Sequence, residues 1–455
     1  MAKQALIINN GCATTSINDN KETILVVLLY CFVAVSSLIN LGFIAAPSFF
    51  VLLLACSLHK PRTGFVALVA IFYLPMAGLH IPNVFIIATI IVGVVNVFKI
   101  KGKNWLRINK DIVILYSLFL FFRFISVVFV PNINAFWNHF FISFTVLVHI
   151  LIITFLIRDE GDVMPVLRIW GYIGAAAAVL GFLHYLLQDA AYLRQINYGT
   201  EIIDKSAIDG SYDSVRWLWF GVEPNFHGLS LLIPFTINLS FLFRKVNLPN
   251  ILLTILTYLG ILGTFSRTSF LVSTLIVVLF LIYSPNRKGK NKVFDSLVFI
   301  IIVYGVYLAV STFFPAFTER IESIQEAATM NNVSGRTPLY LEAINNFIHN
   351  PFLGVGTGQT AYYSIYKLES HNLFLQTLGE NGIFGFAVLF ALFLVFVRRA
   401  SFVKNKNPLF FFAIIAIMIN ANTVSYFDMR LIFSLFVLLN YYYFGSRKIN
   451  KNVTI

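Results

Sequence analysis

Apolar stretches long enough to cross a bilayer recur along almost the whole of this chain. A backbone in lipid must satisfy its own hydrogen bonds, and a helical crossing takes about 20 mostly apolar residues. The stretches that qualify lie at 23–40, 42–58, 64–81, 83–98, 111–130, 138–157, 166–188, 225–243, 249–265, 268–284, 295–313, 372–397, 408–424 and 427–444. They predict an all-α fold, a polytopic membrane helical bundle of about fourteen transmembrane helices forming a single integral membrane domain over 1–455. The division between the first two is marked only by Asn40 and Gly42.

Composition agrees. The chain is 58% hydrophobic and 12% charged, with a mean hydropathy of +0.81, which excludes an ordinary soluble domain. The net charge of +13 would suit nucleic acid, but the basic residues sit in short loops between apolar runs, where the positive-inside rule puts them. Cys12, Cys31 and Cys56 show no metal-binding spacing and no disulfide framework. Residues 1–22 lack a basic lead into a short apolar core, so the first apolar segment is expected to serve as an uncleaved anchor.

Lys and Arg orient the bundle. With all fourteen spans in place, 24 of the 33 basic residues fall on one side, together with both termini; the rule makes that side cytoplasmic. The other nine are Arg123, Arg194, Lys205, Arg216, Arg267, Arg320, Arg336, Lys367 and Arg430. They lie on the outer side or in the outer part of a span, and topology does not explain them. For Arg430, with Asp428 two residues away, local pairing or interfacial placement is the simpler reading.

Two outer loops are large enough for structure of their own, 189–224 and 314–371. The second holds a helical signal: Thr337-Pro338 reads as an N-cap followed by proline, and Leu339, Leu341, Ile344, Phe347 and Ile348 form a stripe ending before Asn350-Pro351. From Ser334 to Gly385 the chain turns polar and glycine-rich, with Arg336, His371 and Glu380 in an otherwise apolar sequence.

A histidine opening an apolar helix, as His371 does, is commonly a polar cap. Beside a loop carrying Arg336 it also suits a base that takes a proton from a hydroxyl. Arg267, at the junction of two spans, either snorkels to the interface or binds an anion; arginines suit phosphate groups through bidentate hydrogen bonds. Arg216 precedes WLWFGVEPNFHG, where Glu223, Asn225 and His227 stand at the mouth of a span, an expensive place for polar groups. Glu380, further into its span, pairs with a neighbour or stabilises the bundle interior. GVGTG at 354–358 lacks both a preceding strand and a following GK[ST], so tight turns explain it better than a nucleotide loop. HEXXH and GxSxG are absent.

These stretches resemble one family. His371-Asn372, nine residues, then Gly382-x-x-Gly385 is similar to the HNx9GxxG signature of the O-antigen ligase and Wzy polymerase superfamily. Arg216 with GVEPN, SRT at 266–268, and SGR at 334–336 leading to HNPFLGVGTG agree in order and spacing. The resemblance covers about 210–390 and implies a GT-C-type glycosyltransferase of a bacterial inner membrane. It would use glycans carried on undecaprenyl pyrophosphate at the periplasmic face, without nucleotide sugars, cofactor or metal. It implies that His371 is the base and that Arg216, Arg267 and Arg336 hold the pyrophosphate, with Glu223, Asn225, Asn372 and Glu380 in support. The GVEPN form and the extended N-terminal spans look more like a polymerase, in which lipid-linked oligosaccharide is donor and acceptor, than a ligase acting on lipid A–core. Membrane lipids are expected partners, a chain-length regulator is left open, and nucleic acid is not expected. The rival from another class is a lipid-linked oligosaccharide transporter, against which stand the absence of internal repeats and the clustering of polar residues at one face.

Overall fold

A computed structural model describes residues 17–38, 42–73, 81–97, 105–187, 224–264, 266–283, 312, 336–365, 367–423 and 430–453. Among them there is no strand. The helices are α1 Ile17–Leu38, α2 Gly42–His59, α3 Pro61–Ala70, α4 Ile81–Val97, α5 Trp105–Ile125, α6 Ile133–Leu156 and α7 Val163–Leu187. They continue as α8 Pro224–Arg244, α9 Leu248–Gly263, α10 Arg267–Tyr283, α11 Thr337–His349, α12 Thr360–Tyr363, α13 Leu373–Val403, α14 Leu409–Asn420 and α15 Arg430–Val453. The chain is thus an all-helical membrane protein, with helices on the expected apolar runs wherever those runs are described. The run at 295–313 lies almost wholly outside the described residues, and so do Arg216 and Glu223.

Within the described residues five helical stretches are long and apolar enough to cross a membrane by themselves: Ile108–Phe129, Ile133–Leu156, Glu160–Leu183, Phe226–Arg244 and Leu373–Val403. Other apolar helices are shorter, α14 with only 12 residues among them. That shortness has a consequence for α13, the 31-residue helix to which it returns. Leu373 N–H donates to Ala421 O at 2.9 Å, and Asn407 N–H donates to Val403 O at 2.8 Å, so the two helices are tied at both ends. A straight α13 would measure about 46 Å, whereas α14 covers about 18 Å. Hence α13 bends sharply, and Leu373–Asn381 turns across the bundle.

The bend is at Gly382, with φ 61° and ψ −165°, a conformation essentially reserved for glycine. An unbroken helix would pair Ile383 N–H with Gly379 O and Phe384 N–H with Glu380 O. Instead, the turn after α11 inserts there. Val355 N–H donates to Gly379 O at 2.9 Å and Gly356 N–H to Glu380 O at 3.0 Å. Pro351 O accepts from Ile383 N–H at 2.8 Å, and Phe352 O from Phe384 N–H at 3.5 Å. All four backbone groups freed by the kink are thereby satisfied. Gly354 and Gly356 take positive φ values of 70° and 105° in the inserted turn, as the tight-turn reading of GVGTG requires.

Side chains lock the insertion. Thr357 Oγ1 donates to Arg123 O at 3.1 Å and accepts from Asn381 Nδ2 at 2.9 Å. Gln359 exchanges hydrogen bonds with the backbone of Asn132, at 3.1 and 3.0 Å. Glu380, buried, accepts from Thr360 Oγ1 and Gln376 Nε2, both at 3.0 Å. The neighbours expected for that acid are therefore the inserted loop and its own helix.

The opposite end of the bundle is held by ion pairs. Buried Glu22 takes Lys60 and Arg62, and Arg62 also reaches Asp162 at 3.4 Å. Asp162 accepts from Arg158 Nε at 3.1 Å and raises that guanidinium's pKa above its ordinary value. Arg399 pairs with Asp111 and donates to Asn440 Oδ1 at 2.6 Å, joining α5, α13 and α15. Basic residues read as topological markers thus also clamp the fold. Arg430 differs from its expected interfacial placement: it is fully buried, with Phe72 5.7 Å from its guanidinium carbon. It is the first residue of α15, which packs on α5, α6 and α13, and the 3-10 turn Ile71–Tyr73 after α3 supplies Phe72; Asp428 lies outside the described residues.

Candidate active site

The motif-bearing segments meet at the turn Asn420–Thr423, where α14 ends. Arg336 Nη1 donates to Thr423 O at 3.0 Å, and Tyr340 OH to Asn422 O at 3.2 Å, which fixes the start of α11 there. Asn372 Nδ2 donates to Asn422 Oδ1 at 3.4 Å, and Leu373 N–H to Ala421 O, which fixes the start of α13. Asn420 Nδ2 donates to Ser269 Oγ at 3.0 Å, in the first turn of α10. Ser269 in turn fills the space beside Gly228, where a Cβ would collide with it, in the first turn of α8.

Four helix N-termini therefore point to one place, those of α8, α10, α11 and α13. Each carries partial positive charge, and a cluster of such ends favours an anion; at α13 the first N–H groups are already taken by Ala421 O and Asn372 Oδ1. Half-buried Arg267 is the first residue of α10, and half-buried Arg336 immediately precedes α11. Asn225 is the second residue of α8; His227, further along the same turn, is buried, and its carbonyl accepts from Ser230 Oγ at 2.8 Å. The helix start predicted at 337–338 is displaced by one residue. Arg336 occupies the cap position, with φ −95° and ψ −10°, and makes no side-chain cap bond, since a guanidinium has no acceptor.

His371 is held in the left-handed region, φ 51°, just ahead of α13. Such a conformation is uncommon for a residue other than glycine, though histidine and asparagine accept it more readily than most. Both neighbours pin it. Asn372 is the N-cap, its Oδ1 accepting from Phe374 N–H at 3.0 Å and Leu375 N–H at 3.1 Å. Ser370 Oγ donates to Asn372 O at 3.1 Å. The HN pair thus divides into a cap that orients the helix and an imidazole placed at its mouth. Asn372→Ala is expected to cost about 1 kcal/mol, read as a lower thermal midpoint in detergent. Asn372→Asp, which still caps, is expected to lose less.

Residues 252–390 match the Wzy_C family, described as O-Antigen ligase. The ComP-specific O-oligosaccharyltransferase of Acinetobacter baylyi (strain ATCC 33305 / BD413 / ADP1) is 27% identical over 356 residues, 72% of this chain. Over 252–390 the chain is similar to the O-antigen ligase superfamily. It spans 61% of that relative's length. The matched family segment contains Arg267, Arg336, His371, Asn372 and Glu380, and it ends before α14.

Of the residues singled out in the sequence, the structure brings the segments of Arg267, Arg336, His371 and Asn372 to one turn, with the start of α8 beside them. Glu380 lies apart from that turn, under the inserted loop. The turn itself, Asn420-Ala421-Asn422-Thr423, escaped the sequence reading. Its only signal was a run of polar residues at the end of an apolar span, and span ends are ordinarily polar.

Proposed function

We propose that the protein is an inner-membrane glycosyltransferase that polymerises oligosaccharide repeat units carried on undecaprenyl pyrophosphate, at the periplasmic face, with both termini cytoplasmic. The observation that carries the reading is the convergence of four helix N-termini, Arg267, Arg336 and His371 around Asn420–Thr423. An electropositive mouth next to an imidazole matches what the reaction needs. His371 takes the proton of the acceptor hydroxyl as its oxygen bonds to the anomeric carbon of the donor. The bond from that carbon to the pyrophosphate oxygen breaks, and undecaprenyl pyrophosphate leaves with the electron pair. Arg216, Arg267 and Arg336 offset the charge of the pyrophosphate, and positive charge fixed in advance of the reaction is the effective kind. In the same reading Glu223 and Asn225 support the arginines, while Asn372 and Glu380 hold α13 in place. Of the two outer loops, the second, 314–371, contributes α11 and the inserted turn.

A second reading is favoured by the relative's designation as an oligosaccharyltransferase: the same donor chemistry with a terminal acceptor, lipid A–core or a protein hydroxyl, in place of another repeat unit. Purified protein in proteoliposomes, supplied only with undecaprenyl-pyrophosphate-linked repeat units, is expected to build a ladder of longer glycans. Product appearing only after a terminal acceptor is added would replace polymerisation with that second reading. Movement of intact donor across the membrane, with no new glycosidic bond, would overturn both.

A further inference from the structure

α11 buries the side of its surface that carries Leu339 and Ala343. Ala343 lies against Gly379 of α13, where a Cβ on the glycine would come within 3.0 Å of Ala343 O. The larger apolar residues of the helix face outward: Leu341 is 61% exposed and Ile348 64%, with Ile344 between them also exposed. They stand at i, i+3 and i+7, a single stripe along the helix, and Phe352, 64% exposed, follows in the turn after it. Beside it, Ile365 is 85% exposed, held against α11 by its N–H, which donates to Glu342 Oε1 at 3.1 Å. Exposed Tyr362 is next to it, with Lys367 Nζ 5.5 Å above its ring.

We propose that this face of α11 is an interfacial membrane anchor, seated at the headgroup–acyl boundary of the leaflet on the His371 side. Continuity with the lipid-facing surface identifies the occupant. The Phe352 ring stacks on that of Phe384, 6.0 Å away at 26°. Phe384 is an exposed residue of the span Leu373–Val403 and stacks in turn on Phe122 of α5, 5.6 Å away at 19°. Through these rings the stripe reaches the apolar flank of the transmembrane helices, with exposed Asn345 and His349 along its border. Tyr and Lys at its border are the side chains that favour headgroup level. Because α11 begins directly after Arg336, an anchor there sets the depth of that guanidinium relative to lipid phosphates. The inference does not require the proposed reaction, since its test reads depth and not turnover.

The test uses the full chain with Cys12, Cys31 and Cys56 replaced by alanine and one cysteine at Ile348 carrying a bimane label. The protein is reconstituted in phosphatidylcholine–phosphatidylglycerol vesicles containing nitroxide lipids of graded depth. Quenching at Ile348→Cys is expected to be comparable with that at Phe384→Cys, strongest for nitroxides at the top of the acyl chain, and far above that at Lys406→Cys. Adding Ile348→Glu is expected to reduce the quenching of a label at Ile344→Cys. Quenching no greater than at Lys406→Cys, with rapid attack by a charged impermeant thiol reagent, would overturn the anchor. So would shielding that survives in detergent together with cross-links between copies, which would make the face a subunit interface.

Discussion

Replacing His371 with asparagine is expected to slow glycan transfer by about 10²–10⁴-fold, the usual contribution of a positioned general base, while the protein stays folded. The choice of asparagine follows from the backbone. His371 sits at φ 51°, where asparagine is among the few side chains at ease. His371→Ala would add backbone strain to the loss of the imidazole, and its effect would be ambiguous. Asparagine cannot accept a proton at neutral pH, so it removes the proposed chemistry and keeps the conformation. Donor affinity, set by the arginines and helix ends, is expected to change little. Near-normal single-turnover transfer in His371→Asn would end the assignment of His371 as base. Loss of donor binding in step with loss of transfer would make it a structural residue.

How much of this was legible in the sequence differs between levels. Helix positions were accessible because a bilayer admits little else and apolar length marks them. The direction faced by a helix was not. The α11 stripe was visible as periodicity, but periodicity does not say whether an apolar stripe meets protein or lipid. Here the small residue Ala343 meets the backbone of α13 at Gly379, and Leu341 and Ile348 are left outside. In a membrane protein hydrophobicity does not separate core from surface, so the usual inference from apolar to buried fails.

At the site, the residues in the HN and SGR motifs were accessible because charge in an apolar chain is expensive. Their partners were not. Arg336 is fixed by a backbone carbonyl at Thr423, and α10 by Asn420, and neither has a sequence pattern. The interfacial reading of Arg430 failed for a related reason: a charge near the end of a span suggested exposure, whereas enclosure by distant helices buries it.

Gly382→Ala should produce the largest structural loss of any single substitution in the motif. Gly382 holds φ 61° and ψ −165°, and strain of order 1–3 kcal/mol follows from any side chain there. A Cβ would also overlap the Phe352 carbonyl, which is backbone and cannot rotate away. Relief requires the inserted turn to withdraw, and with it go the bonds from Val355 and Gly356 to Gly379 and Glu380. A total of roughly 3 kcal/mol or more is expected, seen as a much lower thermal midpoint in detergent and loss of transfer. Gly385→Ala provides the contrast within the same motif. Its Cβ would come 2.4 Å from Asn381 Cβ, which cannot rotate away, but its φ is not in the left-handed region and alanine favours the helix by up to about 1 kcal/mol, so a smaller loss than at Gly382 is expected. The difference between the two glycines tests why the motif places His371 where it does. Without the bend, Leu373–Asn381 would run out along the axis of α13 and carry His371 and Asn372 away from Asn420–Thr423. If Gly382→Ala kept both its thermal midpoint and its transfer rate, the kink would not be what delivers the imidazole to the arginines.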